Sequence, residues 1–496
     1  MAVTSGSVAL PSNIPGPQPF PILGRTAQAV RFARDSVGYA DRLFQSYGPV
    51  VSLAAGGGTN IYSSVSPCPG TVLAYGPEIV RQVTTQHQVY HKHPLSGRLY
   101  RKKGDSQRTE PLKHFGVGLF GVNEQQHQQH RQLMMPALHG KQIVSYRDDM
   151  VEIARSVFDR MPLGQSCDIT ATMRLLTLRV ATKTLFGYDL NEKGGELGQL
   201  LQDTFNPIGS FGVTLLPLDI PGFAFHRILN KMARLDNEMR SLIARKRSSG
   251  GDGTDVLSML ISARDAETGM TLSEDELLGH VGVLFAAGHE TSANALSWTL
   301  FLLSQHPEVT ADLHNELESV LQGDAPTVEQ LQRLPLLERV VKESLRILPP
   351  VPWNGRITSK PTQLSGYPLP QGTEVFVSIY KTHHDSEHYP EPEKFDPKRW
   401  ESISPSSYEY NPFSAGPRTC IGASFAMMEI KIVLAMLLQR YRLQCPSQLE
   451  VNRGRSAIVM GPRDGLPMFV HPQDRNFQQS VGSIRGNVRE MVALPE

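Results

Sequence analysis

The chain has 496 residues, with 49 lysines and arginines against 48 aspartates and glutamates and a formal net charge of +1. This balance gives no reason to expect nucleic acid or an acidic membrane as a partner. The four cysteines lie far apart, which argues against a disulfide framework or a zinc site and favours a reducing compartment. Length alone would allow about three domains, but no shift in composition marks a boundary, so we expect one large body with tails.

The beginning of the chain predicts an extended lead-in over residues 1–24. Prolines at positions 11, 15, 17, 19 and 21 disfavour a helix there. No basic start precedes an apolar core, so we expect no signal peptide, and no apolar run is long enough for a membrane-spanning helix. We therefore expect a soluble, cytoplasmic protein without a transmembrane anchor, or one from which an anchor was removed.

Hydrophobic spacing predicts mainly helices with a smaller β region, that is, an α+β fold. The longest helix should begin at Ser273, where Ser-x-x-Glu276 forms a capping box, and extend to about residue 304. Another helix should follow Cys420 and end near Tyr441, and Pro77 is a typical first residue of a helix. Short strands are expected at 50–53, around Ile61 and Val72, and at 374–379. Further helices are predicted at 141–161, 170–187, 195–206 and 224–247.

Two long connections are candidates for function. Residues 86–120 are irregular and mixed in charge, and connections of this length inside a compact domain are usually functional, so we expect a substrate-side loop. Residues 205–223 form an apolar loop with three prolines. We expect it to act as a lid over an apolar pocket, with plain core contact as the alternative.

The most informative stretch is a loop with the pattern Phe-x-x-Gly-x-Arg-x-Cys-x-Gly, which leads into an apolar helix. Cys420 lies at the junction, where unpaired backbone N–H groups and the helix dipole favour a thiolate, a soft ligand suited to iron. Phe413 can pack on the sulfur side of a flat cofactor, Gly416 permits a turn, and Gly422 permits close approach of the helix. Arg418 is placed to meet an acidic cofactor substituent. A buried free cysteine is the alternative, which the five matching positions argue against.

This loop resembles the heme-binding loop of the cytochrome P450 family, the heme-thiolate monooxygenases, and further matches extend over about residues 15–472. The resemblance implies the family's fold, with heme b, one per chain, between the long central helix and the helix after Cys420, which is the axial iron ligand. It implies one domain over residues 25–472. The polar tail, 473–496, exceeds the usual end of the family and could be disordered. Because it has no recognisable membrane anchor, the chain resembles the soluble, bacterial-type members of the family.

Two other segments match positions that contact heme in the family. His127 and Arg131 lie four residues apart on a short helix, so both can point to one anionic group, although a solvated polar face is the alternative. In the family, a Trp or His and an Arg at this spacing contact a heme propionate. Arg356 matches a second propionate-binding position, and Val351 and Trp353 match a stretch that lines the substrate pocket.

The middle of the long helix contains a glycine, an acid and two hydroxyls, which are unfavourable there and often mark a functional distortion. A kinked core helix is the alternative. The resemblance identifies the family's oxygen-activation segment, in which Gly288 makes room for dioxygen, Thr291 offers its hydroxyl to the distal oxygen and Glu290 connects to the proton supply. Phe285 and Ala287 are candidates for the substrate pocket.

The pattern Glu-x-x-Arg occurs at four places in the chain and is weak on its own. The copy formed by Glu343 and Arg346 is followed by Arg399 and resembles the family's Glu-Arg-Arg network. A satisfied buried network of this kind is rigid, so it would hold the cysteine loop in place rather than take part in chemistry.

The family pattern implies insertion of one oxygen atom from dioxygen into a hydrophobic organic molecule, by hydroxylation or epoxidation. A cysteine thiolate favours O–O cleavage, and two electrons must come from outside. The chain has no flavin, nicotinamide or iron–sulfur motif, so we expect a separate donor, either a ferredoxin with its reductase or a flavin reductase. It should dock at a basic patch on the cysteine side.

Two other functions stay open. A heme-thiolate isomerase or peroxygenase needs no electrons but usually lacks the acid and the threonine that this chain keeps. A non-catalytic heme sensor has no need of proton delivery. The sequence does not distinguish fatty acid, terpenoid, steroid and polyketide substrates.

Overall fold

The computed structural model describes residues 10–11, 13–21, 24–65, 67–93, 107–187, 195–205, 218–248, 253–265, 267–454 and 458–495. As predicted, helices dominate and strands form a smaller region. The helices, numbered α1 to α17, are Thr26–Arg34, Ser36–Tyr47, Pro77–Thr85, Glu110–Val117, Glu124–Met134, Lys141–Ser145, Arg147–Phe158, Ile169–Phe186, Gly195–Phe205, Ala224–Ser248, Val256–Ser262, Glu274–Gln305, Pro307–Leu321, Val328–Leu331, Pro335–Ile347, Ile379–His383 and Ala423–Arg440. The strands, numbered β1 to β12, are Val50–Ser52, Thr71–Ala74, Tyr90–His91, Ser166–Asp168, Trp353–Thr358, Thr362–Leu364, Tyr367–Leu369, Glu374–Ser378, Tyr441–Gln444, Leu449–Glu450, Pro467–Pro472 and Ile484–Arg485.

Helix α12 is the long central helix that the sequence predicts. Its predicted capping box is confirmed, because the Ser273 hydroxyl accepts from the Glu276 backbone N–H and the Glu276 carboxylate accepts from the Ser273 N–H. Two otherwise unpaired donors of the first turn are thereby satisfied. The helix packs against α4, α8, α15 and α17. It therefore forms the centre of the larger hydrophobic core.

A five-stranded sheet with the order β1-β2-β8-β5-β3 lies beside the helical core. Strands β2 and β8 are parallel, and the other pairings are antiparallel. Val72, Val375 and Val377 belong to one of the apolar clusters that the sheet buries. Because β5 pairs with β3, Arg356 is carried close to Lys92, which follows β3 directly.

Among the predicted helices and strands, the structure differs from the sequence expectation in two places. Residues around Ile61 do not form a strand, because three backbone N–H groups of residues 61–63 donate to the buried carboxylate of Glu374 instead of a neighbouring strand. The helix predicted over 141–161 is two helices, α6 and α7, with Tyr146 between them. The ring of Tyr146 is buried, and the Tyr146 hydroxyl donates to Ala137 O at 3.3 Å.

The C-terminal segment packs on the body, although its polar composition allowed for disorder. Val488, Met491 and Val492 have no accessible surface, and burial of apolar side chains stabilises a packed segment. The guanidinium of Arg453 donates to the carboxylates of both Asp35 and Glu490, which connects the start of α2 to the tail. No helix in the described ranges has an apolar stretch sufficient to cross a membrane.

Candidate functional site

The cysteine loop is shaped by short backbone hydrogen bonds. The N–H of Cys420 donates to Phe413 O at 2.8 Å, so the two ends of the loop are joined directly in front of α17. Gly416 has φ +66°, and a Cβ there would lie 2.8 Å from Thr84 O of α3. Both the backbone conformation and the close approach of α3 therefore require glycine at this position.

The thiol of Cys420 is accessible although protein surrounds it, as expected for a side chain that lines an internal space. Burial raises its pKa, against the opposing effects of the Gly422 N–H, Lys92 and Arg131. The sequence predicted that the helix junction would favour the thiolate. The Gly422 N–H does lower the pKa, as predicted, but in the protein alone desolvation outweighs this hydrogen bond and the nearby charges. A bound metal ion would reverse this balance, since a coordinating thiol is deprotonated.

Four cationic side chains surround the same space: Lys92, Arg131, Arg356 and Arg418. Burial lowers the pKa of Lys92 to about 7, of Arg418 to about 9 and of Arg356 to about 10, and lowers that of Arg131. Repulsion by neighbouring arginines lowers the pKa of Lys92 and of Arg418 further. None of the four forms an ion pair with a carboxylate in the described part of the chain. Buried positive charge without an anionic partner is costly, so this arrangement fits an anionic ligand such as the two carboxylates of heme.

The arginines are held by neutral oxygens rather than by carboxylates. Arg131 Nη1 donates to Thr419 O at 2.7 Å, which ties α5 to the cysteine loop. Arg356 donates to Asn354 Oδ1. Asn354 Nδ2 donates in turn to Ser414 Oγ at 3.0 Å, so β5 is also connected to the loop. These bonds orient the guanidinium groups without cancelling their charge.

The predicted pair of His127 and Arg131 lies in this cluster. His127 is buried, and burial followed by repulsion from Arg418 and Arg131 lowers its pKa to about 3. Its imidazole is therefore neutral at pH 7 and can donate a hydrogen bond without adding charge.

The middle of α12 also borders open space. Ala287, Gly288 and Thr291 are partly accessible in a helix that is otherwise mostly buried. A Cβ at Gly288 would meet no protein atom within 4 Å, and the same holds for Gly422 at the start of α17. Both glycines therefore leave open space beside the backbone, which at Gly422 would let the start of the helix approach a bound group closely.

The polar residues of this segment have protein partners. The Thr291 hydroxyl donates to Ala287 O at 2.6 Å, the backbone carbonyl one turn earlier. The Glu290 carboxylate lies 3.8 Å from the Arg174 guanidinium, and both side chains are partly exposed. Glu290 therefore lies between solvent and the interior, a position suited to proton exchange.

The four pocket candidates differ in position. Ala287 and Val351 are partly accessible. Phe285 is fully buried with its ring centroid 4.7 Å from that of His289, and Trp353 is buried with its indole N–H donating to Ser36 Oγ at 3.1 Å. The structure thus gives Phe285 and Trp353 packing partners in the core rather than accessible surface.

Parts of the two predicted functional loops lie outside the described residues, namely 94–106 of the first and 206–217 of the second. The described remainder of the first loop contains β3 and α4, so the expectation of an irregular connection over 86–120 is wrong there. Their described flanks meet. Arg108 forms an ion pair with Asp219 at 2.7 Å, and Leu112 packs in an apolar cluster with Phe225 and Met232 of α10.

The predicted Glu-Arg-Arg network is assembled in the buried interior. Glu343 accepts from Arg346 through two bonds of 2.9 Å and from Arg399 through one of 2.9 Å. Arg346 Nη1 also donates to His383 O at 2.9 Å, and His383 Nε2 accepts from the N–H of Asn411. The network therefore reaches Asn411, two residues before Phe413 of the cysteine loop.

Sequence reasoning missed several residues of the site. Lys92, Asn123 and Asn354 orient or complete the cationic cluster, and His383 connects the buried network to the loop. None has a fixed spacing from Cys420 that a sequence pattern could use. Glu429 on α17 was also missed; it is buried, and burial raises its pKa to about 8, so it is mostly neutral at pH 7.

Comparison with known proteins shows which family the chain resembles. The model of the cytochrome P450 family matches residues 14–466. Cyclooctat-9-en-7-ol 5-monooxygenase of Streptomyces melanosporofaciens is 33% identical over 410 residues, which cover 81% of this chain and 86% of that protein. Pentalenene oxygenase of Streptomyces avermitilis is 31% identical over 395 residues, covering 78% and 85%. A solved structure of a cyanobacterial cytochrome P450 bound to retinoic acid has a TM-score of 0.77 at 26% identity and covers 94% of this chain and 100% of that one.

Proposed function

The chain belongs to the cytochrome P450 family, and from this premise we propose that Cys420 is the axial ligand of its heme iron. The protein is a heme-dependent monooxygenase with one heme b per chain, and it uses dioxygen, an organic substrate and an external redox partner. The observation that carries the proposal is the accessible Cys420 thiol beside four cations that lack carboxylate partners in the described ranges. The bound heme would supply oxygen-atom transfer, and a thiolate ligand favours O–O cleavage.

The protein residues would then orient the heme and control water and protons. Arg131, Arg356 and Arg418 would hold its two carboxylates, with His127 as a neutral donor beside them. Gly416 would keep the loop in shape, Gly422 would leave room next to the sulfur, and Phe413 would exclude water on the sulfur side.

Helix α12 would provide the residues that bind dioxygen and deliver protons. Gly288 would leave room for dioxygen, and the Thr291 hydroxyl, which donates to Ala287 O, would offer a hydrogen bond to dioxygen bound there. Glu290, paired with Arg174 near solvent, would bring protons from outside. Ala287 and Val351 would contact substrate; Phe285 and Trp353, also proposed as pocket residues, would act through packing behind that surface.

For the substrate, we propose an apolar cyclic alkene or alkenol. Two relatives with more than 30% identity over most of their length are named for such molecules, cyclooctat-9-en-7-ol and pentalenene. The chemistry of the partly accessible positions, aliphatic at Leu284, Ala287 and Val351, suits a hydrocarbon skeleton.

For the electron donor, we propose a ferredoxin with its reductase, or a flavin reductase, that docks at a basic patch on the cysteine side of the heme. Charge reversal of lysines and arginines on that face should slow electron transfer, and unchanged rates would refute the patch. We also propose a cytoplasmic location, supported by the four cysteines, which form no disulfide. Fractionation of the native cells tests the location.

The central experiment compares Cys420→Ser with Cys167→Ser, which removes a partly exposed thiol of β4. The reduced carbon-monoxide adduct should show thiolate-type absorption in the wild type and in the control, and should lose it in Cys420→Ser. A Cys420→Ser protein that keeps this absorption would disprove the assignment.

Turnover assays distinguish the monooxygenase from an isomerase, a peroxygenase or a heme sensor. With a reconstituted redox system, cyclic alkenes and alkenols should produce NADPH-dependent oxygenated products. Product without NADPH would instead indicate an isomerase or a peroxygenase, and absence of product across substrate classes would indicate a sensor.

A further inference from the structure

Asn123 occupies the N-cap position of α5 but does not cap the helix. Asparagine at this position normally accepts a hydrogen bond from a backbone N–H of the first turn. The Asn123 side chain makes no such bond. It turns instead toward the cationic cluster, where it joins two segments that are far apart in the chain.

Both the oxygen and the nitrogen of this amide make two hydrogen bonds. Its Oδ1 accepts from Lys92 N–H at 2.9 Å and from Arg418 Nη2 at 2.6 Å. Its Nδ2 donates to Lys92 O at 2.9 Å and to Gly121 O at 3.4 Å. The orientation of the amide is therefore fixed, since its oxygen meets only donors and its nitrogen only carbonyls.

Arg418 is bound by this segment through neutral acceptors alone. Besides Asn123 Oδ1, its guanidinium donates to Val122 O at 2.6 Å and to Leu119 O at 3.1 Å. A carboxylate at position 123 could accept the same two bonds as the amide, but it would cancel the charge of Arg418 and would repel Lys92 O. An amide satisfies the geometry and preserves the positive charge.

We propose that Asn123 is a positioning residue of the heme site, which holds Arg418 and the backbone of Lys92 together without neutralising either cation. Both cations thereby remain available to the heme carboxylates and stabilise the reduced heme, which carries one positive charge less than the oxidised form. This inference rests on the heme site proposed above.

The test uses two substitutions and a charge control in the full-length, heme-loaded protein. Asn123→Asp keeps an acceptor for Arg418 and Lys92 N–H but adds a negative charge. Asn123→Ala keeps the charges but removes one of the three hydrogen bonds that hold the Arg418 side chain. Asn315→Asp adds the same charge at an exposed position of α13, a helix that carries none of the four cations.

At a fixed applied potential, the ratio of reduced to oxidised heme should fall about three- to tenfold in Asn123→Asp and stay unchanged in Asn315→Asp. In Asn123→Ala, heme transfer to excess apomyoglobin should become about tenfold faster, because a hydrogen bond to a charged group is lost. A purely structural role would lower the unfolding temperature of Asn123→Asp without changing the ratio.

Heme content separates this inference from the proposed site. A wild-type protein that binds no heme would overturn both. A heme-loaded Asn123→Asp protein with the wild-type ratio of reduced to oxidised heme, or an Asn123→Ala protein with the wild-type rate of heme loss, would overturn the role of Asn123 alone.

Discussion

Arg346 donates two hydrogen bonds of 2.9 Å to the carboxylate of Glu343, and solvent reaches neither side chain. Arg399 Nε and the indole N–H of Trp400 donate to the same carboxylate at 2.9 and 3.0 Å. A buried anion shared by two guanidinium groups is well satisfied, and removal of the anion leaves both cations without compensation.

We therefore expect Glu343→Gln to lower the free energy of unfolding by about 3–5 kcal/mol. Chemical denaturation measures the loss. Because the network reaches Asn411 through His383, the variant should also lose part of its thiolate-type absorption with carbon monoxide. Glu78→Gln is the matched control, since Glu78 and Arg81 have the same spacing but are exposed, and its stability should change little. Equal effects of the two substitutions would contradict the structural role.

The glycines of the cysteine loop should respond differently to alanine. Gly416→Ala should destabilise the protein by about 1–3 kcal/mol, because φ is +66° and the new Cβ would approach Thr84 O. Gly422 has φ −94° and open space around it. Gly422→Ala should leave the stability of the heme-free protein unchanged and weaken heme binding. Thermal unfolding without heme and a heme titration test both outcomes, and unimpaired heme binding by Gly422→Ala would place the heme elsewhere.

Lys92 should make heme binding depend on pH. Burial lowers its pKa to about 7 in the heme-free protein, so the side chain is mostly neutral at higher pH. Heme carboxylates favour the ammonium form, so above pH 7 Lys92 takes up a proton on binding, which offsets the proton that the Cys420 thiol releases when it coordinates iron. Without Lys92 only the release remains, so the affinity of Lys92→Met for heme should rise more steeply with pH between about 7 and 9 than that of the wild type, and its binding should be about tenfold weaker at pH 6.5.

Heme titrations at several pH values measure this dependence. Lys360→Met, at an exposed position, serves as the control and should keep the wild-type slope. A Lys92→Met protein with the wild-type pH dependence of heme binding would contradict the proposed interaction of Lys92 with the heme carboxylates.

The sequence alone was enough for the family resemblance, the long central helix and its capping box. These features depend on local patterns: the spacing of Phe413, Gly416, Arg418 and Cys420, and the Ser-x-x-Glu motif at the start of α12. Gly416 is the clearest case, because the turn that its pattern predicts has the positive φ that favours glycine.

Tertiary structure decided which charges and surfaces meet. Lys92 and Asn123 join the cysteine loop from segments about three hundred residues away in the chain, and the polar tail packs on the body through buried Val488 and Met491. Burial also outweighs the effect of the Gly422 N–H on Cys420 and raises the pKa of its thiol. Local sequence specifies backbone geometry, whereas desolvation and electrostatic interaction depend on which distant groups surround an atom.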